Sequence, residues 1–280
     1  MKLLRYGPAG SEKPGMLDGD GKIRDLSGVV ADISGDVLTP SGLASLAKVD
    51  PSTLPLVEDD VRMGACVGRV GKFICIGLNY SDHAAESGMD VPPEPVVFFK
   101  ATSAICGPND DVEIPRTSVA TDWEVELGVI IGSHCKYVDK ANALDHVAGY
   151  CVINDVSERD FQIKRAGQWV KGKSADTFGP MGPWLVTADE VPDPQDLSMK
   201  LSVNDQIMQN GSTSTMVYGV AHVVSYLSQF MSLQPGDVIS TGTPPGVGMG
   251  QKPPRYLKAG DRMELSINGM GTQTQTVVQG

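Results

Sequence analysis

A succession of short apolar runs separated by loops does most to limit what this 280-residue chain can fold into. From Gly71 onward they read KFICIGLNY, PVVFFK, WEVELGVII, HVAGYCVIND, GPWLVT, LSMKLSVND, DVIST, RMELSING and TQTQTVV. Runs of this length bounded by Gly, Pro, Asn and Asp are strand signals. So many strands with loop-rich connections predict a β-rich α+β domain over residues 71–280, not a regular alternation of strand and helix. Only two helices are expected, over Ala141 to His146 and over Met216 to Met231. In the second, Val217, Val220, Ala221, Val224, Leu227 and Met231 recur every three or four residues, the stripe of a helix packed on a core. Residues 1–70 are dense in turn signals, with a hairpin expected around Asp18-Gly-Asp-Gly. They predict a small N-terminal β domain with a structural role.

Charge narrows the partners. A net charge of −11 disfavours nucleic acid and anionic membranes, both of which need a local excess of Lys and Arg. Cys66, Cys75, Cys106, Cys135 and Cys151 are odd in number and scattered, so they read as incidental thiols of a reducing compartment. MKLLRYGPAG is too short in apolar residues for a signal peptide, and the long uncharged stretch from Gln206 to Gly236 is too rich in Ser, Thr, Gln and Asn for a membrane span. The expectation is a soluble, cytoplasmic protein.

The most informative segment chemically is Asp122-Trp-Glu-Val-Glu-Leu-Gly-Val-Ile-Ile131. Side chains alternate along a strand, so Trp123, Val125, Leu127, Val129 and Ile131 face one way and Glu124 and Glu126 the other, about 6.5 Å apart at Cα. Two like charges side by side repel. Solvent on that face resolves the conflict, and so does a cation between the acids. Three features favour the cation: the strand is unusually apolar, Gly128 follows on the acid face as though clearing space, and the run VAGYCVIND delivers Asp155 at its end. Three carboxylates, completed by water and substrate oxygens, suit Mg²⁺ or Mn²⁺, whereas zinc would want Cys and His.

Upstream, LNYSDHAAE reads as a short helix with Ser81 as a possible N-cap, which sets His83 and Glu86 on one face. A carboxylate beside an imidazole raises its basicity, as a general base acting on water requires, although a surface helical pair has the same spacing. Downstream, KGKSADTFGP puts Lys171 and Lys173 among small residues. A lysine held there could neutralise an enolate or a substrate carboxylate, although solvent exposure accounts better for the spacing alone. The Gly-rich stretch from Ile239 to Gly250 is followed by QKPPRYL, so no helix can complete a dinucleotide fingerprint. It reads as a backbone-rich wall whose N–H groups and Thr243 hydroxyl can bind a carboxylate.

Taken together, LNYSDHAAE, DWEVELGVIIG, YCVINDVSERDFQ, KGKSADTFGPMGPW, QNGSTSTMVYG and DVISTGTPPGVG resemble the fumarylacetoacetate hydrolase superfamily, over roughly residues 70 to 270 and in the family's order. The resemblance implies a β-roll catalytic domain, a homodimer, and Mg²⁺ or Mn²⁺ held by Glu124, Glu126 and Asp155. It further implies His83 and Glu86 as a catalytic dyad, Lys173 as a catalytic lysine, and Arg159, Gln162 and Thr243 as substrate contacts. The implied reaction is hydrolysis of a 2,4-dioxo acid at C3–C4, such as 2,4-diketo-3-deoxy-fuconate or -rhamnonate. Ureidoglycolate lyase and oxaloacetate decarboxylase or isomerase activities remain alternatives on the same scaffold, as does a non-catalytic binding protein that keeps the acids as a structural metal site.

Overall fold

The computed structural model describes residues 1–58, 60–82 and 92–280. Its centre is the antiparallel pair Val125–Ile131 and Val147–Asn154, every residue of which is buried. Both faces are therefore covered, which is why these two runs are almost continuously apolar. Gly179–Thr187 pairs on one side of them, and Val238–Ser240, Phe73–Gly77 and Val96–Lys100 follow on the other. The N-terminal strands Lys2–Tyr6, Lys13–Leu17 and Ile23–Asp25 continue the same ten-stranded sheet, with Leu3 opposite Leu185. The Asp18 hairpin forms as expected: its carboxylate accepts from the amides of Asp20 and Lys22, and Gly21 takes φ +76°.

Alternation along the central strand divides the core. Trp123, Val125, Leu127, Val129 and Ile131 join one cluster, which includes the helix Val220–Phe230 and the inner face of a five-stranded sheet (Met199, Leu201, Leu265). Ile130, Cys151 and Ile153 face the other cluster, closed by Leu3, Met16, Leu26, Ile33, Leu38 and Leu46 of the N-terminal segment. The result is the β-rich, helix-poor architecture expected, and no helix among the described residues is long and apolar enough to cross a membrane. All five cysteines are free thiols.

Three local expectations need correction. The helix begins at Val220, not Met216, because the amides of Val217 and Tyr218 are taken by the Asn79 carbonyl and side chain. Residues Lys140–His146 form a 3-10 helix and not an α-helix. Gly128 does not clear space for ligand chemistry: a Cβ there would lie 2.6 Å from Ile153 and 2.8 Å from the Cys151 sulfur, so the glycine accommodates core packing.

Candidate functional site

The acids meet because the two central strands end together. Asn154 lies opposite Val125 in the ladder, and just beyond it the Asp155 amide donates to the Glu124 carbonyl at 2.9 Å. One carboxylate oxygen from each of Glu124, Glu126 and Asp155 lies within 4.8 Å of the others, all three side chains being buried. Glu126 is fixed from the next strand: its Oε2 accepts from the Ser240 hydroxyl at 2.6 Å and the Gly242 amide at 2.8 Å. Gly242 sits at φ +101° with its Cα hydrogens against Asn79, where a side chain would clash.

Three cations are packed among the acids. Lys173 Nζ donates to Glu124 Oε2 at 2.6 Å and Asp155 Oδ2 at 2.7 Å. Arg159 spans Asp122 (2.8 Å), Glu124 Oε1 (2.6 Å) and the Gln162 side-chain oxygen (3.1 Å). Lys100, at the end of the strand Val96–Lys100, is buried on Asp155 Oδ1 and the Val156 carbonyl. Lys173 reaches its place on a single helical turn, Val170–Lys173, pressed onto the backbone of residues 158–162. A Cβ at Gly172 would come within 2.4 Å of the Glu158 carbonyl, so only glycine permits the approach.

The electrostatics follow from burial and pairing. Burial alone would raise Glu124, but Arg159 and Lys173 overcome it and hold its carboxyl far below the usual range. Burial raises Glu126 as well, and there the neighbouring Asp155 and Glu124 charges add to the effect, leaving it well above its ordinary value. Lys173 loses hydration, yet Asp155 and Glu124 more than compensate and raise it above its ordinary value, favouring the ammonium form. With Asp122, the cluster holds four carboxylates against the three cations Lys100, Arg159 and Lys173. Fully ionised it carries one excess negative charge in a dehydrated setting, and Glu126 bears the strain.

A divalent cation fits this arrangement. The converging donors are all hard oxygens, and carboxylate oxygens that already accept one hydrogen bond retain a second lone pair. Adding two positive charges to the excess of one negative leaves room for a single anionic ligand. Glu124, Glu126 and Asp155 would hold the ion. Glu124 and Glu126 form the floor of a cavity of about 220 Å³, with Asp155 buried behind them, and Arg159, Gln162, Lys173, Thr243 and a group of apolar side chains line the rest.

The structure thus brings together seven of the nine residues to which the resemblance gives a role. His83 and Glu86 lie outside the described residues. Thr243 lines the cavity, but its hydroxyl donates to the Val125 carbonyl and accepts from Gln209, so no proton is left for a substrate carboxylate. Lys171 is exposed and donates to the Arg165 carbonyl. Sequence reasoning missed Lys100 and Asp122. Asp122 accepts from the amides of Trp123, Gly248 and Met249 and from Arg159, tying the glycine-rich wall to the acid strand. A signal existed for Lys100, the one charge closing the apolar run VVFFK; for Asp122 it was the acid directly preceding the Glu pair.

Comparison with known proteins agrees with this construction. Residues 72–278 match the family model described as fumarylacetoacetate (FAA) hydrolase, C-terminal. A Burkholderia multivorans protein carrying only a provisional name as a hydrolase is 68% identical over 276 residues, 98% of each chain. Among solved structures, a fumarylacetoacetate hydrolase from psychrophilic Exiguobacterium antarcticum superimposes with a TM-score of 0.87 at 37% identity, covering 100% of both chains. A maleylpyruvate hydrolase from Sphingobium sp. SYK-6, in complex with manganese(II) and pyruvate, gives 0.83 at 31% identity, again over 100% of both.

Proposed function

The chain belongs to the fumarylacetoacetate hydrolase family, and on that premise we propose that it is a Mg²⁺- or Mn²⁺-dependent hydrolase of small 2,4-dioxo acids, cleaving C3–C4. The observation that carries this reading is the buried cluster of Glu124, Glu126 and Asp155 with its one excess negative charge, at the floor of a cavity sized for a small acid. Such a cation, when bound, supplies Lewis-acid polarisation of a 2-oxo-acid head. The rest is the work of the chain. Arg159, braced by Asp122 and Gln162, orients the substrate carboxylate, the single anion the charge balance admits. Lys173, held protonated, places a fixed positive charge where enolate charge develops. His83, oriented by Glu86, takes a proton from the water that attacks C4. Water adds hydroxyl to C4, the C3–C4 bond breaks toward C3, and C3 is reprotonated. The products are the tail as a carboxylic acid and the head as pyruvate or a 3-substituted relative. The sugar-derived dioxo acids suggested by resemblance are members of this class.

A second reading draws on a 2-hydroxyhepta-2,4-diene-1,7-dioate isomerase from Mycobacterium marinum, 33% identical over 100% of this chain and 98% of that one, with a TM-score of 0.76. Tautomerisation needs the same charge stabilisation without water at C4. Assaying acetylpyruvate with Mg²⁺ and with Mn²⁺ in ¹⁸O-water separates the two. Hydrolysis puts label into acetate and releases pyruvate; proton exchange at C3 without cleavage favours the isomerase.

A further inference from the structure

Once the charged floor of the cavity is assigned, a second set of lining residues is left without a role in the chemistry, namely Ile76, Leu78, Phe98, Ile163, Trp169 and Met249. Phe98 begins this wall beside the reacting end, since Lys173 Nζ lies 5.1 Å from its ring centre. Trp169 continues it, edge-to-face on Phe98 with centroids 5.3 Å apart, and Ile163 forms the mouth with 51% of its surface exposed. The Trp169 ring is seated by an absence: a Cβ on Gly77 would lie 2.5 Å from it. An isoleucine left half in water at the mouth of a cavity gains most when a ligand covers it.

Equally telling is what the wall lacks. Arg159 and Lys173 are the only basic residues lining the cavity among the described residues, and the proposed chemistry assigns both to the substrate head. The other basic side chains of the adjoining turn point elsewhere: Lys164 pairs with Asp160 and Arg165 stacks on Phe161. A carboxylate on the substrate tail would be desolvated here without a partner, and a polyhydroxylated tail would lose hydrogen bonds that the wall cannot return.

Resting on the function proposed above, the geometry points to a tail-recognition subsite: Phe98, Trp169 and Ile163 select 2,4-dioxo monoacids whose C4 acyl tail is apolar, aromatic or alkyl, against dicarboxylic and sugar-derived ones. The test compares kcat/KM, with Mn²⁺, for dioxo acids that share the head and carry a methyl, pentyl, phenyl, terminal carboxylate or polyhydroxylated tail. Pentyl and phenyl tails are expected to exceed the carboxylate and polyhydroxylated tails by at least about tenfold. Ile163→Arg, at an exposed position tolerant of change, should shift the phenyl-to-carboxylate ratio toward carboxylate by a similar factor, and Trp169→Ala should narrow it. Equal or reversed preference in the wild-type chain, or a ratio unmoved by both variants, overturns the subsite. If even the methyl-tailed parent is not hydrolysed, the proposed function is what has failed. The subsite is then judged by binding with Mn²⁺ present, followed by tryptophan fluorescence or calorimetry: phenylpyruvate tighter than 2-oxoglutarate supports it, and the reverse order overturns it.

Discussion

Two clusters of acids and bases in this molecule use the same residue types to opposite ends. Near the N-terminal segment, Arg5 pairs with Asp32 and Glu12, while Arg62 pairs with Glu12 and clamps Asp110 through two of its nitrogens. These groups keep contact with solvent, and each pair ties one stretch of chain to another. Beneath the cavity, Lys100, Arg159 and Lys173 share Asp122, Glu124 and Asp155 with almost no solvent, and Glu126 is left crowded by like charge. Screening makes the first cluster a set of modest fasteners. Its absence makes the second a store of unresolved charge, which is what a cation site requires.

The sharpest way to break this contrast is to remove a ligand. Asp155→Asn and Glu126→Gln are each expected to cut Mn²⁺-dependent turnover about a thousandfold, the several kcal/mol that a lost Lewis acid represents. Turnover within tenfold of wild type in either would show the cluster to be structural. Glu126→Gln should also raise the melting temperature of the metal-free protein slightly, since it removes the crowded charge. Loss of stability would reverse our account of that residue.

Next in size is the cost of losing one cation from each cluster, read by urea denaturation of the metal-free protein. Lys100→Met takes one of its two ammonium partners from buried Asp155, leaving Lys173, and should cost about 3 kcal/mol, the low end for breaking a buried pair. Arg62→Ala, whose partners can rehydrate, should cost about 1 kcal/mol or less. Comparable losses would erase the distinction drawn here.

Acidity sets Glu126 apart from the other acids by sign. Burial raises Glu12, but its own amide, Arg62 and Arg5 bring it below its ordinary value, so its contribution is present above that value and fades as pH falls through the depressed one. Glu124, also depressed, acts in the same direction. Glu126 is raised, so stability in the metal-free protein is full below the ordinary carboxylate value and falls as pH climbs above it. Mn²⁺ should therefore bind more tightly with rising pH and release a proton, and saturating Mn²⁺ should flatten the alkaline-side decline. Calorimetry in buffers of different ionisation enthalpy reads that proton directly; none released would remove Glu126 from the ligand set. Smallest of all, 0.5 M salt should weaken the Arg62 cluster by roughly a few tenths of a kcal/mol and leave the buried one unmoved.

What the sequence disclosed was whatever has a local period. Glu124 and Glu126 fall on one face because a strand repeats every two residues, and Asp155 could be assigned to the same cleft because a second apolar run ends in it. Pairing across distance left no such trace: Lys100 meets Asp155 across 55 residues, and Asp122 gathers the 248–249 amides across more than a hundred. The helix start was misjudged for the same reason, Asn79 claiming two amides 139 residues away or nearly so. Gly128 misled because a missing side chain does not say which neighbour needed the room.

Gly172 carries the opposite lesson. A single methyl group there would touch no charge and no ligand, yet it would press on the Glu158 carbonyl and on Gln162, wedge the lysine turn away from residues 158–162 and swing the ammonium off both carboxylates at once. The protein's sensitivity to mutation should therefore extend to a residue with no chemistry of its own, and a screen that scores only polar positions would pass over it.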